Sequence, residues 1–142
     1  MVVDPEAMLQ IPREAYHPLP EMMIRQMVQW TFRHWNEWAD LVLQKQLEDQ
    51  SAPDGYDRFR ASNLCALSIL ATRLTDRLGA IKAPTLVVWG EKDRLLRVSN
   101  AYAIEKAISG SRKIIYPDCG HCPQLERPDE FNRDLGAWLA DH

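Results

Sequence analysis

Ala83-Pro-Thr-Leu-Val-Val-Trp-Gly-Glu-Lys-Asp93 contains an unbroken β-favouring run, Thr85 to Trp89, introduced by Pro84 and closed by Gly90. Apolar residues occupy both alternating sets of positions in its centre. That pattern predicts a strand buried on both faces, as in a parallel sheet. Downstream, Ser99 to Ile108 has the period of a helix, with Ala101, Ile104, Ala107 and Ile108 inward. Ser109-Gly110-Ser111 ends it, and Lys113 to Tyr116 gives a second short strand. Pro128 to Leu139 predicts a closing amphipathic helix with Phe131, Leu135, Trp138 and Leu139 on one side. Pro128 suits its first turn, where a missing N–H costs nothing.

A strand, a crossover helix and a second strand imply parallel pairing. Reactive groups of open parallel sheets sit beyond the carboxyl ends of the strands. Two loops occupy those ends here, Gly90-Glu-Lys-Asp93-Arg and Pro117-Asp-Cys-Gly-His121-Cys. Parallel neighbours place both on one edge of the sheet, so Asp93 and His121 are expected to approach each other. A carboxylate that accepts a hydrogen bond from one imidazole nitrogen fixes the tautomer and leaves the other nitrogen as a general base. Read singly, each of the two is an ordinary polar loop residue.

The context adds more. The run Ala83 to Asp93 and the run Tyr116-Pro-Asp-Cys-Gly-His121-Cys-Pro-Gln-Leu-Glu-Arg-Pro-Asp-Glu-Phe-Asn132 closely resemble the C-terminal end of the α/β-hydrolase family. In that family a Pro-led apolar strand ends in Gly-x-x-Asp, and a later Gly-His opens a loop into a Pro-Glu/Asp-x-Phe helix. The resemblance covers about residues 80–140 in order, spacing and flanks. It implies that Asp93 is the acid and His121 the base of a catalytic triad.

The residues before this region have a different character. After Pro18 and Pro20, the residues Met23, Met27, Trp30, His34, Trp38 and Leu41 recur at steps of three and four, which predicts one helix. Val28, Phe32, Trp35 and Val42 widen its apolar surface. Ser51-Ala-Pro-Asp-Gly55 reads as the break after it. A second helical segment is expected from Tyr56 to Leu78, with Phe59, Leu64, Leu67, Leu70 and Leu74 at helical spacing. The resemblance makes residues 1–79 a helical cap and 80–142 the C-terminal part of an α/β core, a β-α-β-α run of parallel sheet. Val2-Val3-Asp4 would then be the tail of a strand preceding the cap.

The family's nucleophile sits on a G-x-S-x-G elbow upstream of both acid and base. No such elbow occurs in this sequence. Ser109 and Ser111 flank a glycine, but their turn leads from a helix into a strand, the wrong direction. The expectation is therefore the C-terminal half of an enzyme about twice this length, inactive alone because the nucleophile is not in this chain. It would then self-associate through exposed aromatic and strand-edge surface, or need the N-terminal half.

Cys119-Gly-His-Cys122 matches a dithiol redox motif letter for letter. A thioredoxin-like domain needs a further strand, a cis-proline loop and a hairpin after the motif's helix, whereas the residues after Cys122 make one helix. Asp118 stands where such a site has an aromatic, and its charge would disfavour a thiolate. The three ligand-type residues are crowded, with no distant partner, so no metal is expected. Trp30, Trp35 and Trp38 read first as core, with His34 as a structural histidine. The alternative is that this surface roofs a cleft, which makes Trp30, His34, Trp38 and Cys122 the candidate substrate-binding residues.

Composition agrees with an ordinary globular protein: 142 residues, 46% hydrophobic, 26% charged. The balance of 17 basic and 20 acidic residues lacks the cationic excess of nucleic-acid binding. No stretch reaches the roughly 18 apolar residues of a membrane span. The opening Met-Val-Val-Asp-Pro-Glu lacks the basic and apolar regions of a secretory signal. A cytoplasmic protein with reduced cysteines is expected, without cofactor, nucleic-acid or membrane partner. The reaction implied by the resemblance is hydrolysis of a small apolar ester or related acyl compound. Carbon–carbon bond, epoxide and haloalkane hydrolysis are the alternatives within the family, and a non-catalytic interaction module is the alternative outside catalysis.

Overall fold

The computed structural model describes residues 12–72 and 74–142. After a 3-10 turn at Arg13–Ala15 come α1 (Glu21–Thr31), α2 (Glu37–Ser51) and α3 (Gly55–Ala71), then a 3-10 stretch at Thr75–Ala80. The order continues with β1 (Leu86–Gly90), α4 (Ser99–Ala107), β2 (Arg112–Tyr116), α5 (Pro123–Glu126) and α6 (Pro128–Ala140). Val2-Val3-Asp4 and the side chain of Leu70 lie outside the described residues.

The strands pair in parallel, with Leu86 opposite Arg112 and Gly90 opposite Tyr116. That register aligns their carboxyl ends, as the strand–helix–strand pattern implied. Helix α4 packs against both. Lys113 links β2 to α4 through an ion pair with Glu105 and by lying over the Tyr102 ring. Burial differs from the expectation of two covered faces. Val87 is buried, but Leu86, Val88 and Trp89 are only half-buried. Among the described residues each strand has one hydrogen-bonded strand neighbour, the other.

Two compact units divide the chain: Met1–Arg25 with Leu41–Arg73, and Gln26–Asp40 with Leu74–His142. The first is held by aromatic and polar contacts. Tyr16 meets Tyr56 and Phe59 at ring-centroid distances of 5.6 and 5.2 Å. Arg13 lies over Tyr56 and pairs with Asp57, and Leu19 N–H donates to Gln50 Oε1 at 2.7 Å. The second holds the sheet, with Val87, Ala101, Ile108, Tyr116 and Cys119 buried. Tyr116 donates from its hydroxyl to Asp134 on α6 at 2.9 Å. Burial and that carboxylate push the phenol up to about 12.

The helical region corrects three expectations. The single helix expected after Pro20 is two, interrupted at residues 32–36. The buried positions are Ile24, Val28, Phe32, Ala39 and Leu43, whereas Met27, Trp38 and Leu41 are exposed. Val28 and Phe32, expected only to widen the apolar surface, are therefore buried, while most of the residues expected on the main face are not. Helix α3 ends at Ala71 rather than continuing to Leu78, and Thr72 caps it by donating N–H to Ser68 and Ile69 carbonyls. Among the described residues, no helix is long and apolar enough to cross a membrane.

Candidate acid–base site

The site is built from backbone before any reactive side chain is placed. Beyond β1 and β2, Glu91 N–H donates to Tyr116 O and Lys92 N–H to Cys119 O, each at 2.9 Å. The two loops are therefore stitched together residue by residue. Gly90 allows this approach: a Cβ there would stand 1.8 Å from Gly120 O and 2.5 Å from Cys119 O.

Asp93 emerges from the first loop with its side chain 2% exposed. Its Oδ1 accepts from Leu95 N–H at 2.8 Å and Leu96 N–H at 3.0 Å. Its Oδ2 lies 2.8 Å from His121 Nδ1. The carboxylate is thus oriented by its own loop, with one oxygen committed to the imidazole. An ionised carboxylate only accepts, so the shared proton belongs on Nδ1. Nε2 bonds to no described residue, and the ring is 35% exposed. A neutral imidazole in this state is free to take a proton at Nε2.

His121 is held from a second direction. Its N–H donates to Thr31 O at 2.7 Å, at the end of α1. Gly120 N–H donates to Glu126 Oε1 at 2.9 Å, and Arg33 N–H to Glu126 Oε2 at 2.7 Å. Gly120 has no room for a side chain: its Cβ would be 2.7 Å from both Arg33 N and Thr31 O. Asp118 adopts a left-handed φ of 49°, uncommon outside glycine and tolerated best by Asn and Asp. Its carboxylate receives His34 Nε2 at 2.8 Å and Arg33 Nε at 2.7 Å. Those two hydrogen bonds hold the carboxyl down to about 2.

Of the residues singled out in the sequence, Asp93 and His121 are brought together. Cys122 follows His121 in the same loop, its thiol raised by burial first and then by the Glu126 and Asp93 charges. Trp30 is half-buried near the end of α1, and Trp38 is exposed in the first turn of α2. His34 is on no helical face: it lies in the break between α1 and α2, exposed, against Asp118. Glu126, Thr31 and the Arg33 backbone were missed. Glu126 sits in an amphipathic stretch where a carboxylate reads as a solvated charge, and backbone partners leave no trace in composition.

The Cys119-Gly-His-Cys122 run is unsuited to dithiol exchange. Cys119 is fully buried, and its thiol is pushed up to about 12 by desolvation and by Glu126, to which it donates at 3.7 Å. The anion that opposes the thiolate is therefore Glu126, and not Asp118 as the sequence suggested. Cys122 is raised as well, chiefly by burial. At pH 8 a thiol near 12 is about one part in ten thousand thiolate. Iodoacetamide at that pH is expected to modify exposed Cys65 first, with Cys119 at least ~100-fold slower; mass spectrometry of a time course reads both. Among the described residues, no group of three or more His, Cys, Asp or Glu is arranged to hold a metal.

The Asp93-oriented imidazole of His121 thus stands at the carboxyl edge of a parallel pair of strands. A family model described as alpha/beta hydrolase fold matches residues 4–128. The chain belongs to the α/β-hydrolase fold family. It is 47% identical over 64 residues to the 2-hydroxy-6-oxononadienedioate/2-hydroxy-6-oxononatrienedioate hydrolase of Klebsiella pneumoniae, covering 45% of this chain and 22% of that protein. It is 33% identical over 111 residues to the 2-hydroxy-6-oxo-6-phenylhexa-2,4-dienoate hydrolase of Comamonas testosteroni, covering 78% of this chain and 38% of that protein. The solved structure of the enzyme of the latter name from Rhodococcus sp. strain RHA1 superposes with a TM-score of 0.72 at 17% identity, over 85% of this chain and 44% of that one. The chain thus spans less than half the length of these relatives.

Proposed function

We propose that this chain supplies the acid and the base, Asp93 and His121, of an α/β-hydrolase that cleaves a carbon–carbon bond in 2-hydroxy-6-oxo-dienoate compounds. The observation that carries the acid–base assignment is the 2.8 Å contact between Asp93 Oδ2 and His121 Nδ1, with Nε2 left open. The substrate class rests on the names of the relatives. The compounds so named contain no ester or amide. The bond that water can cleave in them is the carbon–carbon bond beside the 6-oxo carbonyl.

In this proposal the nucleophile, a hydroxyl, comes from outside these 142 residues. It attacks the 6-oxo carbon and gives its proton to His121 Nε2, while Asp93 stabilises the imidazolium. In the 2-oxo tautomer of the substrate, whose enol proton has moved to C5, the bond from C6 to C5 breaks. Its electron pair is delocalised through C4 and C3 onto the 2-oxo oxygen, which takes the proton back from Nε2. Water then releases the acyl group as a carboxylic acid, with Nε2 relaying its proton to the nucleophile oxygen. Half-buried Trp30 and exposed Trp38 are candidate contacts for an apolar substituent, with Cys122 in the loop that carries the base and His34 against Asp118 of that loop.

The test is a chimera in which this chain replaces the matching part of the Comamonas testosteroni protein. A folded chimera is expected to consume 2-hydroxy-6-oxo-6-phenylhexa-2,4-dienoate faster than an aryl ester of similar size. Hydrolysis of the ester alone would move the assignment to the carboxylic ester reaction that the resemblance first implied. A folded chimera inert toward both would overturn the acid–base assignment.

A further inference from the structure

We infer that Glu126 is a positioning residue that sets His121 by clamping its loop to the break between α1 and α2; the inference rests on the acid–base role proposed for His121. The Glu126 carboxylate spends both oxygens on backbone donors, one 6 and one 93 positions away in the chain. Oε1 receives Gly120 N–H at 2.9 Å and the Cys119 thiol at 3.7 Å. Oε2 receives Arg33 N–H at 2.7 Å. Gly120 immediately precedes the base, and Arg33 is two residues from Thr31, whose carbonyl accepts His121 N–H at 2.7 Å. One carboxylate and one peptide bond thus close a ring of contacts around the backbone of residues 119–121.

The chemistry requires a carboxylate of this length. Both sites facing it are donors, so two acceptor oxygens are needed. Glutamine offers one oxygen and one NH2, and the NH2 would confront a backbone N–H. Aspartate keeps the charge but loses a methylene and cannot span from Gly120 to Arg33. The Gly120 backbone also cannot drift toward Thr31 and Arg33, because it already lies within the reach of a single Cβ from both. Loss of the clamp therefore loosens the backbone that carries the imidazole to Asp93.

The test uses NMR of the 142-residue chain. In the parent protein, the amide protons of Gly120 and Arg33 are expected to titrate with one common midpoint, equal to that of the Glu126 side-chain carbonyl carbon. Amides that do not follow that carbon overturn the clamp, and this reading needs no variant. In Glu126→Gln and Glu126→Asp, exchange at both amides is expected to accelerate at least ~10-fold while amides of β1 and β2 keep their protection. The His121 ring nitrogens are expected to shift toward a mixture of tautomers. Faster exchange with unchanged ring nitrogens would make Glu126 purely structural and overturn the inference. A parent spectrum with the proton on Nε2 would instead overturn the acid–base reading, independently of what the amides of Gly120 and Arg33 do.

Discussion

Gly90→Ala is expected to destabilise the strand-bearing unit by about 3 kcal/mol or more, the upper range for inserting atoms into a packed site. The added Cβ would stand 1.8 Å from Gly120 O, 2.5 Å from Cys119 O and 2.8 Å from Cys119 C. All three are backbone atoms, so no rotamer change relieves the clash. Either the loops separate, breaking the bond from Lys92 N–H to Cys119 O, or β1 shifts against β2. Each displaces Asp93 from His121. Native domains have only ~5–15 kcal/mol in reserve, so such a change can remove much of the margin. Gly136→Ala is the control. Nothing lies within 4 Å of its Cβ position on α6, and replacing a mid-helix glycine by alanine should add about 0.5–1 kcal/mol. Urea unfolding followed by circular dichroism measures both. Gly90→Ala within ~0.5 kcal/mol of the parent would show that the loops are not held as described.

The second large effect concerns chemistry at constant fold. Asp93→Asn in the active chimera is expected to lower kcat by about 10⁴-fold with little change in KM, the size of loss seen when a triad imidazole is held in the wrong tautomer. The reason lies in the donors around Asp93. Leu95 and Leu96 N–H both point at Oδ1, so the single oxygen of asparagine must face them. Its NH2 then faces His121 Nδ1 and donates. Nδ1 becomes an acceptor, the ring proton moves to Nε2, and the base is lost although the side chain is isosteric. A rate within tenfold of the parent chimera would mean that Asp93 does not set the tautomer.

The sequence carried the parallel strands and the Asp93–His121 pair because each has a local signature. An apolar run led by Pro84 and closed by Gly90 names its strand, and Gly-His before a Pro-led helix names its loop. The division between α1 and α2 had no such signature, because apolar residues continue through Phe32 and Trp35 at helical spacing. What stops the helix is tertiary. Phe32 N–H still donates to Val28 O, but Arg33 N–H goes to Glu126, 93 positions away. Thr31 O accepts from His121 rather than from the next helical turn. Local propensity yields to long-range partners that satisfy the same backbone groups.

The same substitution of partners explains why His34 was misplaced. Helical spacing put it beside Trp30 and Trp38, but the chain leaves the helix before it and turns its ring to Asp118. Next to a cysteine in sequence, Asp118 reads as a charge opposing a thiolate, whereas its carboxylate faces Arg33 and His34. Glu126, the residue with the most demanding set of donors, had no legible motif at all. Where a side chain serves backbone groups, sequence pattern says little, and geometry has to supply the assignment.

The ring-nitrogen spectrum of His121 in the 142-residue chain tests the acid–base assignment most directly. At a pH where the imidazole is neutral, the expected result is a proton on Nδ1 and a bare Nε2, and Asp93→Asn should reverse the two. A proton on Nε2 in the parent protein, or a tautomer indifferent to the Asp93 substitution, would contradict the assignment of Asp93 and His121 as acid and base.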